Sequence, residues 1–287
     1  MLIERLTLYE KLMRLDKPVG ILLLLWPTLW GLWIGSGGQP KLVVLWIFVL
    51  GTVLMRSAGC VINDYVDRHF DPQVERTKDR PLATGRVGTG EALALAGALT
   101  LAAFLLVLRL NMLTIWLAAA ALFLAASYPY TKRFFAIPQA YLGIAFGFGI
   151  PMAFAAHMGT VPPVAWAMLL ANVFWTIAYD TEYAMVDRAD DLNIGIKTSA
   201  ILFGRFDLAA VMLCYGLFLL ILTGVGRYLQ MGWFYYLGLT LAALIAVYHF
   251  ILIRGRTREG CFKAFRHNNW VGAVVFVGIV LDYRIPL

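Results

Sequence analysis

The chain has 287 residues, of which 61% are hydrophobic and only 14% are charged, and its formal net charge is +7. This balance excludes a soluble globular domain, whose surface needs far more charge, and it favours a protein that crosses a membrane several times. The positive charge is no sign of nucleic-acid binding here, because the cytoplasmic loops of membrane proteins retain Lys and Arg.

The apolar segments predict an all-α membrane protein, with residues 1–287 forming a single integral-membrane domain. A spanning helix needs about 20 apolar residues to cross about 30 Å of hydrocarbon. Nine apolar segments are candidates, of which the fourth and the last are short, and we expect nine transmembrane helices around a central cavity. In chain order the segments are 19–36, 41–62, 91–110, 112–127, 138–158, 162–180, 206–225, 231–253 and 269–283.

Basic residues are distributed unevenly among the loops between these predicted spans. The segment before the first span and the loops after the second, fourth, sixth and eighth spans carry most of the Lys and Arg residues. The loops on the opposite side carry few of them. Because Lys and Arg are retained on the cytoplasmic side of a membrane, we expect the N-terminus and these basic loops to face the cytoplasm.

Two short acidic runs follow the second and the sixth predicted spans. The first covers residues 63–71 and the second covers residues 183–191, and both contain the string Val-Asp-Arg-x-x-Asp. Because the runs lie four spans apart, they indicate two related four-helix halves plus one further helix. Repeats of this kind often frame a central site in membrane proteins.

On helices that continue beyond the spans, each run would place its carboxylates on one face. The first stripe comprises Asn63, Asp64, Asp67 and Asp71, and the second comprises Asp180, Tyr183, Asp187, Asp190 and Asp191.

A solvated polar face is one interpretation of these stripes. However, carboxylates one turn apart repel by roughly 3 kcal/mol at an effective dielectric constant near 20, and a divalent cation would relieve this repulsion. Oxygen ligands favour Mg²⁺ or Ca²⁺, and Mg²⁺ commonly completes its shell with substrate phosphate. The stripes therefore indicate Mg²⁺ ions that clamp a diphosphate.

Phosphate groups also need cationic donors, and basic residues follow both stripes. Arg80 and Lys197 each come shortly after a stripe, and Lys132 and Arg133 follow the fourth span on the same side. Arg56 is different because it lies inside the second span, where a charged side chain costs at least about 2.5–3.5 kcal/mol. It should face the protein interior, either in a structural ion pair or as a cation that holds an anionic group of a substrate.

These motifs resemble those of a known family. The run at 63–71 has the form Asn-Asp-x-x-Asp-x-x-x-Asp and is followed by Arg-Pro-Leu at 80–82. The run at 183–191 is followed by Gly-Ile-Lys-Thr at 195–198. Together they resemble the UbiA superfamily of intramembrane prenyltransferases, and the resemblance spans almost the whole chain.

Three further strings narrow the resemblance to one branch of that superfamily. They are Arg-Leu-Asp-Lys-Pro at 14–18, Leu-Trp-Pro-Thr-Leu-Trp at 25–30 and Ser-Tyr-Pro-Tyr at 127–130. They resemble sequence strings of the branch that acts on 4-hydroxybenzoate in ubiquinone biosynthesis. The resemblance implies transfer of a polyprenyl group from polyprenyl diphosphate to the ring carbon ortho to the phenol, in a bacterial inner membrane with the active site facing the cytoplasm.

The resemblance also implies Mg²⁺ as the cofactor and membrane lipids as the surroundings, with no nucleic acid and no obligate protein partner expected. The implied metal ligands are Asp64, Asp67, Asp71, Asp187 and Asp191. The implied diphosphate ligands are Arg80, Lys197 and Asn63, the acceptor would contact Arg56 and Tyr183, and the catalytic group would comprise Asp191, Arg133 and Lys132.

Other functions remain open from the residues alone. An ion-coupled transporter would also use acids and an Arg within the membrane, but transport sites lie near the midplane, whereas these acids lie at span ends. A related prenyltransferase could use a naphthoate, a homogentisate or a haem or chlorophyll precursor as acceptor. A phospholipid-head-group transferase would need a differently spaced acidic pattern, which the sequence lacks.

Overall fold

The computed structural model describes residues 2–285, and within that range its regular elements are all helical. Two 3₁₀ turns, Asp71–Gln73 and Gly204–Phe206, accompany the α-helices. The helices are α1 (Leu2–Met13), α2 (Val19–Gly35), α3 (Leu42–Asp67), α4 (Thr89–Val107), α5 (Met112–Thr131), α6 (Pro138–Gly147), α7 (Gly149–Met158), α8 (Pro163–Ile194), α9 (Ser199–Phe203), α10 (Asp207–Tyr228), α11 (Trp233–Ile253) and α12 (Arg258–Arg284).

Seven helical segments within residues 2–285 are long and apolar enough to cross a membrane. They are Leu42–Asp67, Thr89–Val107, Met112–Thr131, Pro138–Met158, Ser199–Tyr228, Trp233–Ile253 and Arg258–Arg284. The helix α2 is apolar but shorter, with 17 residues. The chain is therefore an integral membrane protein.

The two helices that carry the acidic runs extend beyond their predicted spans. The helix α8 has 32 residues, carries the whole second run and ends at Ile194. Gly195 follows it with a φ of 72°, the left-handed conformation favoured just after a helix C-terminus. The helix α3 ends at Asp67. Asp71 lies instead in the following 3₁₀ turn, so the prediction that one continuous helix carries the first run was wrong beyond Asp67.

Two further features of the bundle add detail to the nine predicted spans. The predicted span 138–158 is divided into α6 and α7, with Phe148 between them. Pro151 lies in the first turn of α7, where it lacks the N–H that would bond back to Gly147, and this explains the interruption. The amphipathic helix α1 was not predicted. It packs on α3, and it ends just before Arg14.

An aromatic core holds four helices together. Trp30 of α2 lies 5.4 Å from Trp175 of α8, which stacks on Phe218 of α10 at 5.7 Å between ring centroids. The indole N–H of Trp30 donates to the carbonyl of Gly272 on α12 at 3.1 Å. All three rings are fully buried, and the helix α8 is thereby fixed in the centre of the bundle.

The crossing of α11 and α12 generates a stability prediction. A Cβ atom on Gly238 would lie 2.8 Å from the carbonyl oxygen of Val274 and 3.1 Å from the Cα of Gly278. Overpacking of this kind costs about 1–3 kcal/mol, so Gly238→Ala should lower the thermal unfolding temperature of the detergent-purified protein.

The matched control is Gly216→Ala on α10, where an added Cβ meets nothing within 4 Å. Because Ala is the better helix former by about 1 kcal/mol, this variant should unfold at the wild-type temperature or above it. Equal unfolding temperatures for the two variants would contradict the close approach of α11 and α12.

Candidate active site

A large cavity lies within the bundle, and its volume is about 1330 Å³. That exceeds the roughly 300–1,000 Å³ of most small-molecule pockets. Its lining includes charged side chains from the ends of α3 and α8, whereas α4 and α5 contribute apolar side chains such as Phe104, Ile115 and Leu122. The cavity thus joins a charged region to an apolar one, which suits a lipid with an anionic head group.

The carboxylates of the first run are buried and compensated by bases from other elements. Asp64 is 1% exposed. Both of its carboxylate oxygens accept from Nη2 of Arg14, at 2.9 and 3.0 Å, and Nη1 of Arg80 lies 3.0 Å from one of them. A buried carboxylate without such partners would be strongly unfavourable. The loop after α1 and the loop after α3 are therefore both tied to Asp64.

Arg80 also binds Asp71, and it bridges the end of α3 to the 3₁₀ turn. Its Nη1 donates to both carboxylate oxygens of Asp71 at 2.9 Å. The hydroxyl of Thr77 donates to the main-chain carbonyl of Asp71 at 2.9 Å, which fixes the turn. Burial raises the pKa of Asp71, and the positive charge of Arg80 opposes that shift.

Asp67 pairs with a base from a third element. The Lys132 ammonium, at the end of α5, donates to Asp67 at 3.0 Å and to the side-chain oxygen of Asn63 at 3.1 Å. The ring of Tyr128 lies 5.6 Å from the same ammonium. Lys132 therefore joins α5 to the two residues of the first run that face it.

The second run is compensated by the loop that follows the first run. Arg76 donates through Nε and Nη2 to both oxygens of Asp187, at 2.5–3.1 Å. Its guanidinium lies over the ring of Tyr183 at 4.5 Å, and Tyr183 stacks on Phe265 of α12 at 4.3 Å. This ion pair brings the two acidic runs to one cavity.

Asp191 is the one aspartate of the two Val-Asp-Arg-x-x-Asp strings that forms no ion pair among residues 2–285. It is buried and lines the cavity. Burial raises the pKa of Asp191 to about 7, and the negative charge of Asp187 acts in the same direction. Asp191 lies well beyond the predicted span 162–180, at the charged end of α8.

Arg56 lies in the cavity wall without an acidic partner among the described residues. Its guanidinium is 5.3 Å from the ring of Phe146, and a Cβ on Gly20 would come within 2.8 Å of its Nη2. Its Nε is buried and has no hydrogen-bond partner within residues 2–285. A cavity-facing guanidinium with donors unused within residues 2–285 has the charge and hydrogen-bonding capacity to bind an anionic group such as a carboxylate.

The charges that line the cavity balance formally, with eight aspartates and eight Lys or Arg residues. The acids are Asp16, Asp64, Asp67, Asp71, Asp79, Asp180, Asp187 and Asp191, and the bases are Lys11, Arg14, Lys17, Arg56, Arg76, Arg80, Lys132 and Arg266. The protein thus offers no net positive charge to an anionic head group, and charge compensation favours cations that enter with it.

The donor set fits Mg²⁺ rather than a metal held by protein alone. Within residues 2–285, no three Asp, Glu, His or Cys side chains converge on one point. Mg²⁺ does not need such a cage, because it binds through one or two carboxylates and keeps places for water and phosphate oxygens. The buried carboxylates of both runs supply oxygen ligands of the required kind.

Two residues of the predicted site lie outside the large cavity. Arg133 is exposed and contacts the rings of Phe70 and Tyr130, each at 5.7 Å, beside a small outer pocket. Lys197 is exposed and donates to the carbonyl of Phe134 at 3.3 Å. Neither side chain lines the large cavity, although Ile196 and Thr198 on either side of Lys197 do.

Several cavity residues escaped the sequence prediction. Arg14 and Arg76 were not assigned to the site, although Arg14 begins one of the family-like strings. Arg76 pairs with Asp187, which lies 111 positions away, and no sequence motif predicts that pairing. Gln139 and Tyr128 also line the cavity; Tyr128 belongs to the Ser-Tyr-Pro-Tyr string at 127–130 but was given no role, and Gln139 belongs to none of the strings noted in the sequence.

The sequence of this chain is similar to those of known proteins. A model described as the UbiA prenyltransferase family matches residues 24–271. A 4-hydroxybenzoate octaprenyltransferase of Dechloromonas aromatica is 69% identical over 283 residues, which is 98% of this chain and 96% of that protein. The enzyme of the same name from Azoarcus sp. is 68% identical and covers 98% of each chain.

Solved structures share the fold. The apo structure of a UbiA homologue from Aeropyrum pernix K1 superposes with a TM-score of 0.80 at 24% identity, over 92% of this chain and 97% of that one. A UbiA homologue from Archaeoglobus fulgidus bound to GPP and Mg²⁺ gives a TM-score of 0.70 at 18% identity, over 95% and 99% of the two chains. With a family model that spans most of its length and relatives of high identity, the chain belongs to the UbiA prenyltransferase family.

Proposed function

We propose that this protein transfers a polyprenyl group from a polyprenyl diphosphate to the ring carbon ortho to the phenol of 4-hydroxybenzoate, in a reaction that requires Mg²⁺. The observation that carries the proposal is one cavity that contains five buried motif aspartates, basic partners for four of them, and Arg56, which has no acidic partner among residues 2–285. The names of the close relatives support the choice of acceptor and of a prenyl donor. The reaction belongs to ubiquinone biosynthesis.

We propose that Asp64, Asp67, Asp71, Asp187 and Asp191 hold Mg²⁺. When bound, Mg²⁺ neutralises charge on the diphosphate oxygens as the bond to the prenyl carbon breaks. The bases that now pair with these aspartates are then available to the phosphate oxygens. Arg80 and Lys132 lie closest to the first run, and Asn63 beside Lys132 offers a further polar contact.

The chemistry on the substrates follows from these positions. The bond between the prenyl C1 and the diphosphate oxygen breaks, and both electrons leave with the diphosphate. The electron-rich ring carbon next to the phenol attacks the resulting allylic cation, and the ring then loses its proton. We propose Asp191 as the group that takes the proton, because it is the motif aspartate that no base occupies. The apolar walls of the cavity keep water from the cation.

We propose that Arg56 binds the carboxylate of the acceptor, and that Tyr183 forms part of the cavity wall beside the acceptor. Arg56 lies on α3 two turns deeper than Asn63, so an acceptor held by its carboxylate would direct its phenol end toward the charged region. Arg133 follows Lys132 and donates to the carbonyl of Val66, and Lys197 follows α8 and donates to the carbonyl of Phe134. A direct role for them in drawing off leaving-group charge would require their side chains to enter the cavity.

The proposed arrangement in the membrane has nine spans within a single domain. They are α2, α3, α4, α5, the broken pair α6 and α7, α8, α10, α11 and α12. The first four and the next four form two related halves, with an acidic run at the end of the second helix in each, and α12 is the additional helix. The loops that carry most bases border the charged end of the cavity, which supports a cytoplasmic active site in a bacterial inner membrane.

The function is tested directly with membranes that contain the protein, labelled 4-hydroxybenzoate and octaprenyl diphosphate. We expect a lipid-soluble labelled product that disappears with a chelator and returns with added Mg²⁺. A dihydroxynaphthoate should be a far poorer acceptor in the same assay. Preferential conversion of the naphthoate would replace the proposed acceptor, and full activity in chelator would remove the metal requirement.

The metal-binding role predicts large effects at two aspartates and a small one at their neighbour. Asp67→Asn and Asp187→Asn should each lower kcat at least about 100-fold, because charge stabilisation of the leaving group is lost. Asp190→Asn is the matched control, since Asp190 pairs with Arg258 at 3.2 Å and does not line the cavity. Near-normal turnover by a correctly inserted Asp187→Asn protein would refute the role.

The acceptor-binding role predicts a selective effect on KM. Arg56→Met should raise KM for 4-hydroxybenzoate about tenfold or more, since a charge-assisted hydrogen bond is lost, and should change KM for the prenyl donor much less. Wild type and variant should use 4-hydroxybenzamide, which has no carboxylate, with similar efficiency. Arg109→Met, at an exposed position outside the cavity, controls for loss of charge. Equal KM changes for both substrates would remove the assignment.

A further inference from the structure

A polar network is buried in the bundle, on the side of α8 that faces away from the cavity. It contains Glu182 of α8, Tyr215 of α10, His249 of α11 and Asn268 of α12, all 0–1% exposed. None of these four residues lines the cavity. Glu182 forms no ion pair with Lys or Arg among residues 2–285; its one basic neighbour is the ring of His249, at 3.8 Å.

The hydrogen count at the Tyr215 hydroxyl points to a proton on Glu182. That oxygen lies 3.0 Å from Oε1 of Glu182 and 2.8 Å from Oδ1 of Asn268. The tyrosine carries one hydrogen, which can be given fully to only one of these two oxygens. An amide oxygen carries no hydrogen, so a proton on Glu182 supplies the hydrogen for the second contact.

The orientation of the Asn268 amide does not alter this result. Its Oδ1 accepts the indole N–H of Trp175 at 2.8 Å, while its Nδ2 donates to the carbonyl of Ala264 at 3.1 Å and to Oε2 of Glu182 at 2.8 Å. The indole nitrogen is a donor only, which favours this orientation. In the flipped orientation the amide oxygen would face Oε2 of Glu182, and that contact would again need a proton on the carboxyl group.

The two histidines complete a network without charge. Because the Tyr215 hydrogen is directed to Asn268, the tyrosine oxygen accepts from Nδ1 of His249 at 2.9 Å. Nε2 of His249 is then an acceptor, and it receives the N–H on Nδ1 of His267 at 3.1 Å. Every ring can therefore be neutral, and the bundle avoids the desolvation of an isolated carboxylate.

We propose that Glu182 is held as the neutral acid and serves as a positioning residue, which sets the register of α8 against α10, α11 and α12. Its neighbour Tyr183 stacks on Phe265, three residues before Asn268 on the same α12. The two contacts fix the rotation of α8, and so direct Asp187 toward Arg76. The proton assignment is independent of the reaction, whereas the positioning role rests on the proposed function.

Glu182→Gln and Glu182→Ala distinguish a neutral donor from a buried anion. The Gln amide can donate to Tyr215 and accept from Asn268 as the neutral acid does, so its unfolding temperature in detergent should match wild type and its kcat/KM for the prenyl donor should agree within about twofold. Ala leaves both partners unsatisfied, and its kcat/KM should fall about tenfold or more, with a lower unfolding temperature.

Infrared spectroscopy supplies a readout that needs no turnover. The wild-type spectrum minus the Glu182→Gln spectrum should contain the carbonyl stretch of a protonated carboxyl group. Its absence, or damage by Gln equal to that by Ala, would overturn the neutral assignment. Wild-type stability and kinetics in Glu182→Ala would overturn the positioning role. If wild type itself fails to prenylate 4-hydroxybenzoate, the proposed reaction fails while the spectrum and unfolding temperatures still test the proton.

Discussion

The burial of carboxylates at one end of the bundle is the constraint on which the rest of the site depends. A buried, ionised aspartate is strongly unfavourable unless a cation compensates it. Four of the aspartates in the two runs obtain that cation from another part of the chain: the segment after α1, the loop after α3, or the end of α5. The same ion pairs therefore tie the loops to the helices and define the charged end of the cavity.

These ion pairs also explain how a formally neutral cavity can serve an anionic substrate. Arg80 contacts two carboxylates at once, and Arg76 and Lys132 each contact one. In the proposed reaction these carboxylates would hold Mg²⁺, which would supply positive charge to the diphosphate, and Arg76, Arg80 and Lys132 would then donate to phosphate oxygens. Such an exchange of partners would lower the cost of burying these charged groups. Arg56 stands apart because its donors are unused before the acceptor binds.

The sequence predicted the parts of this site that depend on local periodicity. The acidic stripe of α8 follows from the 3.6-residue repeat of one uninterrupted helix, and the depth of Arg56 follows from its place in an apolar segment. Asp71 departed from prediction because the helix ends at Asp67, and Pro72 in the next turn has no N–H with which to continue it. The partnership of Arg76 with Asp187 depends on tertiary packing, which no local pattern records. Arg133 shows the same limit, since Lys132 lines the large cavity whereas the adjacent Arg133 lies outside it.

The helix α8 carries carboxyl groups in two contrasting environments within six positions. On one face Asp187 is paired with a guanidinium and borders the cavity. On the other face Glu182 contacts Tyr215 and Asn268, and in our proposal it carries a proton. The proposed neutral Glu182 adds no charge to its side of α8. That side is held by hydrogen bonds to Tyr215 and Asn268, whereas Asp187 on the cavity side is held by an ion pair with Arg76.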